Sequence, residues 1–210
     1  MKKIVIVALL LSITAFGADK VYEPTWDSLD SRETPQWFPD AKFGIFIHWG
    51  LYSVPAFAPR GTYAEWYWHA KDGDQTGKHQ AAVGRAAATQ EFHNRVYRKD
   101  FQYSDFRDLF TCEMFEPEHW AKVFKRSGAK YVVLTSKHHD GYCLWPSKEA
   151  SKSFGMPWNS VDSGPKRDLV GELTDAVREE GGIKMGLYYS IWDWFNPTWP
   201  EAEQPTTGPK

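Results

Sequence analysis

The chain has 210 residues, enough for one sizeable domain, whereas a complete eight-stranded α/β barrel takes about 250. Its 25 Lys and Arg nearly balance 27 Asp and Glu, and a formal charge of −2 argues against a general nucleic-acid or anionic-membrane partner. No internal repeat or coiled-coil heptad is present, which excludes solenoid and fibrous architectures.

In chain order, Lys2 and Lys3 precede an apolar run from Ile4 to Ile13, and Ala15 with Gly17 supplies a small-residue cleavage pattern. Residues 1–17 therefore read as a signal peptide of bacterial type, too short in its apolar part to span a membrane. The expected location is the periplasm or the medium. Val21 to Pro35 is a polar approach segment, and Trp26, Trp37 and Phe38 are expected to pack at the outer end of the domain. Phe43-Gly44-Ile45-Phe46-Ile47 is the first strand-like run, and it leads straight into His48-Trp49-Gly50. The Lys71–Gln90 stretch is rich in Gly, Ala, Gln and Thr and reads as a surface insertion. His69 and His79 receive no metal role, and His93 and His119 fall on helix-like segments with solvated faces.

A helix starts at Glu116-Pro117, where the missing N–H of proline costs nothing. Its apolar positions Trp120, Val123 and Phe124 recur at helical spacing until Gly128. Tyr131-Val132-Val133-Leu134-Thr135 is the second buried strand and ends in Lys137-His138-His139-Asp140-Gly141. Two imidazoles there are poor packing material and good hydrogen-bonding material. Gly164-Pro165-Lys166-Arg167 lacks the pattern of a phosphate loop and reads as a turn into Asp168, the N-cap of a helix with apolar face Leu169, Leu173, Ala176 and Val177. Gly181-Gly182 ends that helix, and Met185-Gly186-Leu187-Tyr188-Tyr189-Ser190 is the third strand, in which Tyr188 and Tyr189 face opposite sides. Cys112 and Cys143 are expected as free buried thiols rather than a disulfide.

Strands alternating with helices argue for parallel strands joined by helical crossovers, with the chemistry at the strands' carboxyl ends. The expected fold class is α/β, an incomplete (β/α)8 TIM-type barrel containing the first three or so βα units. Adjacent histidines make a poor bite for a zinc ion, so neither a metal nor a cofactor is expected.

Five blocks, Phe43 to Gly50, Tyr63 to Tyr67, Gly128 to Thr135, Lys137 to Gly141 and Gly164 to Asp168, resemble the retaining α-L-fucosidases of glycoside hydrolase family 29, in order and with family-like spacing from roughly residue 24 to residue 200. The resemblance implies an exo-acting α-L-fucosidase that works by double displacement on fucosylated oligosaccharides or glycoconjugates. It implies that His48, His138, His139 and Tyr188 line the fucose pocket, which leaves Tyr189 to packing, and that Glu65 and Trp66 belong to a loop closing over the same sugar. The heavy aromatic content, 16% with eleven tryptophans, suits a site of this kind. In the family the nucleophilic aspartate follows the fourth strand and the acid/base lies further on. Both positions fall beyond Lys210, so no catalytic residue is named, and residues 18–210 are expected to be a truncated N-terminal portion of the catalytic domain. The alternatives are a catalytically dead fucose-binding fragment or a related retaining glycosidase with altered sugar choice.

Overall fold

The computed structural model describes residues 21–73 and 80–198, with side chains from residue 85 onward in the second stretch. The signal-like segment 1–17 and His79 lie outside the described residues. Before the sheet come two short helices, Trp26–Asp30 (α1), capped by the Thr25 hydroxyl, and Trp37–Ala41 (α2). Trp26, expected to pack, is 79% exposed, and no residue of α1 is buried.

Gly44–Ile47 (β1), Tyr131–Lys137 (β2) and Lys184–Tyr189 (β3) form a parallel sheet in the order β1-β2-β3. Phe46 lies opposite Val133, and Thr135 opposite Tyr188. Parallel neighbours cannot be joined by a hairpin, and helices make the crossovers. Tyr67–Asp72 (α3), Gln80–Val96 (α4), Phe106–Leu109 (α5) and Pro117–Arg126 (α6) separate β1 from β2, and Lys148–Phe154 (α7) and Leu169–Glu180 (α8) separate β2 from β3. The protein is thus an α/β fold built on a three-stranded parallel sheet.

Val132 and Leu134 of β2 are fully buried in one core with Ala121 and Phe124 of α6 and Leu169, Leu173 and Val177 of α8. Burying each large aliphatic side chain contributes roughly 1.5–3 kcal/mol. Lys125 ties the end of α6 to the end of α8, pairing with the Glu180 carboxylate at 2.9 Å and donating to its backbone carbonyl at 2.8 Å. At the start of α8 the Asp168 carboxylate accepts from the Gly171 N–H at 2.8 Å. Asp168→Ala is expected to lower stability by about 1 kcal/mol, measured as an earlier urea midpoint with an unchanged slope.

Two expectations about the segment between β1 and β2 also require correction. The Lys71–Gln90 stretch is no surface insertion, since most of it belongs to α3 and α4 and it places Lys71, Ala86 and Thr89 in buried positions. His93 is not solvated but 1% exposed: its Nε2–H donates to the Phe101 carbonyl and its Nδ1 accepts from the Tyr67 hydroxyl, both at 2.8 Å. A neutral imidazole satisfies both partners at once. The helix looked polar because its apolar complement comes from elsewhere, as where Phe57 lies flat on Phe92 at 3.9 Å. Cys112 is half-buried and Cys143 buried, and both are free. Burial pushes each thiol up to about 12, which leaves both protonated and unreactive at neutral pH.

Candidate active site

The parallel register brings the carboxyl ends of the three strands side by side, and with them three of the expected rings. His48 follows β1 directly, His138 follows β2, and Tyr188 is the penultimate residue of β3. Ring centroids are 5.7 Å apart for His48 and His138, 6.0 Å for His48 and Tyr188, and 6.4 Å for His138 and Tyr188. Phe46, two residues before His48 on the same face, stacks on it at 5.0 Å and meets Tyr188 edge-on at 5.7 Å.

His138 is the buried member of the group, 4% exposed. Burial above all, then His139 and His48, holds its imidazole down to about 3, so it is neutral at pH 7 with one donor and one acceptor nitrogen. Its Nδ1 and the hydroxyl of Thr135 are buried with no hydrogen-bond partner among the described residues. Both groups are free to hydrogen-bond a polar ligand.

His139 is half-buried and built differently. Its Nδ1 lies 2.6 Å from the Trp192 carbonyl, which can only accept, so we assign the proton to Nδ1 and leave Nε2 as an acceptor. Its own carbonyl accepts from the Trp194 N–H at 2.6 Å, and its ring stacks on the Trp194 indole at 4.8 Å. Trp66 meets Trp194 at 4.8 Å and His139 at 6.2 Å, so two indoles and an imidazole form a continuous aromatic wall. Glu65 sits in the short 3-10 turn Ala64–Trp66, half-buried. Its charge reaches Tyr52, whose phenol is pushed far above its ordinary range by burial first and then by Asp140 and Glu65. The Tyr52 ring in turn lies 5.4 Å from His138. His48, Tyr188, His138, His139 and Trp66 are therefore linked by successive ring contacts, and Glu65 precedes Trp66 in the same turn.

The loop after β2 is fixed from below. The Asp140 carboxylate accepts from the Tyr103 hydroxyl at 2.7 Å and the Tyr142 N–H at 3.1 Å, and its backbone carbonyl accepts from the Trp158 indole at 2.9 Å. Burial pushes its carboxyl up to about 6 even against those hydrogen bonds. Gly141 adopts a φ of 73°, and a Cβ there would stand 2.6 Å from the Phe154 ring, so only glycine completes this turn.

Sequence reasoning missed Tyr52, Asp140 and Trp194. The signal for the last was Trp192-Asp193-Trp194, aromatic residues clustered just past a strand end. Tyr189, expected to pack, is instead 53% exposed, with the Lys137 ammonium 4.3 Å from its ring centre. Among the described residues no group of three His, Cys, Asp or Glu could hold a metal ion. His69, set aside as a ligand, contacts the wall at Trp66 and Trp194.

A family model described as α-L-fucosidase matches residues 9–210 of this chain. The chain belongs to the α-L-fucosidase family. An α-L-fucosidase of Dictyostelium discoideum is 47% identical over 99% of this chain and 42% of its own length. The human plasma α-L-fucosidase is 44% identical over 87% of this chain and 35% of its own length. A Thermotoga maritima α-fucosidase solved in complex with fucose superposes with a TM-score of 0.71 at 46% identity, over 83% of this chain and 39% of that one. The chain thus spans about two fifths of the length of the relatives it matches.

The buried groups of this chain predict its response to acid. Burial, opposed only in part by hydrogen bonding to Phe101, holds His93 below the ordinary histidine range, as it does His138. A base depressed in this way refuses in the folded state a proton that the unfolded chain accepts. Stability is therefore withdrawn as pH falls from about 6.5 toward about 3 at His138. Asp140 works in the opposite sense, because a carboxyl raised to about 6 favours folding once protonated. With two histidines against one carboxyl, the melting temperature is expected to fall between pH 7 and pH 4. A flat or rising profile in a calorimetric series would contradict the assignment of both rings as neutral and buried.

Proposed function

We propose that residues 18–210 are the N-terminal portion of a (β/α)8 TIM-type catalytic domain, and that the whole protein is an exo-acting α-L-fucosidase removing terminal α-L-fucose from glycans with retention of configuration. The observation that carries this reading is the meeting of His48, His138 and Tyr188 from the carboxyl ends of three adjacent parallel strands. A site made of neutral imidazoles and a phenol suits hydroxyls that both donate and accept. In this reading His48, His138, His139 and Tyr188 hold those hydroxyls, Trp66 offers its face to the C–H surface and methyl group of a 6-deoxy sugar, and Glu65 closes the same loop over it.

The barrel part of the proposal draws support from the sheet itself. Leu187 and Tyr189 are exposed on a groove of about 540 Å³ beside α8, also lined by Trp145, Val170 and Thr174, which is where a further βα unit of a closed barrel would pack. The nucleophile and the acid/base, about 5–5.5 Å apart in a retaining enzyme, belong in this reading to the part of the family's length that the chain does not span. Residues 1–17 act as a cleaved signal peptide, placing the enzyme in the periplasm or the medium of a bacterium.

The test combines binding with turnover. L-fucose is expected to bind the purified chain, and deoxygenated analogues to bind far more weakly, since a site built around a hydroxyl is left unpaired without it. Release of the phenol from an aryl α-L-fucoside is expected only from a protein extended through the remaining family length. Binding without turnover in that extended protein would make it a fucose-binding protein instead, and no binding at all would remove the sugar site.

A further inference from the structure

Lys137 and Asp193 form an ion pair across 56 positions of sequence, with side chains only 5% and 15% exposed. Neither side chain is one of the sugar-site groups described above, and the Lys137 ammonium stands over the Tyr189 ring instead. A buried ion pair is a poor source of stability and a good means of fixing one arrangement, and the position of this one is informative. Asp193 stands between Trp192, whose carbonyl accepts from His139 Nδ1, and Trp194, whose indole stacks on the same histidine. The segment from Ser190 to Asn196 is held at both ends: the Ser190 N–H donates to the Lys137 carbonyl at 3.0 Å, and the Asn196 amide donates to the Asp193 carboxylate at 3.3 Å while accepting from Ser153 at 2.9 Å. In the middle, the Trp194 N–H reaches the His139 carbonyl.

We propose that the Lys137–Asp193 pair is the positioning element of the sugar site, holding the Ser190–Asn196 strap so that the Trp192 carbonyl fixes His139 as the Nδ1–H tautomer and Trp194 completes the aromatic wall. His139 Nε2 is thereby kept as a bare acceptor for a sugar hydroxyl. This inference rests on the fucose-site reading for its purpose, but the tautomer and its dependence on the pair can be read without any sugar. Among the described residues the Lys137 ammonium is the cation paired with the strap: burial alone would lower it, and Asp193 overrides that and holds it above the ordinary lysine range. Without the charge on Lys137, Asp193 becomes a half-buried carboxylate whose remaining hydrogen-bond donor among the described residues is the Asn196 amide. It would turn outward and carry the Trp192 carbonyl with it.

The experiment is imidazole ¹⁵N spectroscopy of the whole chain, with the His139 resonances identified by their loss in His139→Gln. The unmodified protein is expected to show His139 protonated at Nδ1 and bare at Nε2, and the reverse pattern overturns the inference at once. In Lys137→Met and in Asp193→Asn the pattern is expected to become a mixture of tautomers, while L-fucose affinity falls about tenfold to a hundredfold, the range a misplacement of about 1 Å produces. Lys137→Arg, which restores the charge, is expected to recover the single tautomer. An unchanged tautomer in a folded Lys137→Met or Asp193→Asn protein overturns the role of the pair. Unfolding of both variants assigns the pair to the fold as a whole and overturns it equally. If L-fucose binds none of these proteins while the tautomer still follows the pair, the sugar reading fails and the positioning role stands.

Discussion

His138→Phe is expected to weaken L-fucose binding about a hundredfold, the cost of leaving the hydroxyls that met this ring without partners. Phenylalanine keeps a flat ring in the buried position beside Tyr52 and Tyr188 and removes only the two nitrogens. Those nitrogens do little for the fold at neutral pH, since Nδ1 has no partner among the described residues. Stability is therefore expected to stay level or rise slightly, because an orphaned buried polar atom is removed. Affinity lost with a melting temperature retained distinguishes a binding residue from a structural one. Calorimetric titration with L-fucose alongside thermal unfolding measures both, and an unchanged affinity would take His138 out of the sugar site. The acid-induced loss of stability should also shrink in this variant, because one of the two depressed histidines is gone.

Trp158→Ala is expected to be the most damaging single change to the fold, costing about 3–5 kcal/mol. The indole is 1% exposed and sits among Tyr142, Phe154 and Trp68, with ring centroids at 5.5, 5.1 and 6.1 Å. Its N–H also supplies the hydrogen bond to the Asp140 carbonyl. Alanine leaves a cavity that aromatic neighbours cannot collapse into, and it strips a buried carbonyl of its donor. Against a typical total of about 5–15 kcal/mol, that is a large share of the stability. Urea unfolding followed by tryptophan fluorescence measures it. A loss within about 0.5 kcal/mol, the level of an ordinary surface change, would refute the packing described around Asp140. The Asp140-Gly141 turn carries His138 and His139, so the variant should lose L-fucose binding together with stability, unlike His138→Phe.

The two variants separate two layers of the same region. His138 presents chemistry that the fold barely needs, whereas Trp158 lies beneath the loop and holds it in shape. Asp140, with its carboxylate on Tyr103 and its carbonyl on Trp158, is the joint between them.

The local chain was enough to place the three strands, the α6 and α8 helices, the Asp168 cap and the histidines at the strand ends. Each of these depends on residues within a few positions of one another: alternation or helical spacing of apolar side chains, a carboxylate three residues from an N–H, a polar stop after a β-branched run. The family resemblance carried Glu65, Trp66 and Tyr188, which periodicity alone would not have singled out. Everything that required a partner far along the chain was decided by the tertiary structure. His93 is buried because Tyr67 and Phe101 satisfy its two nitrogens, and nothing in the polar-looking helix around it announces either partner. Trp194 reaches the site wall, and Asp193 reaches Lys137, only because β2 and β3 lie side by side and bring residues more than fifty positions apart into contact. A side chain's spacing reports which face of its own element it occupies. What covers that face is set by the packing of other elements, whose pairing distances no local pattern encodes.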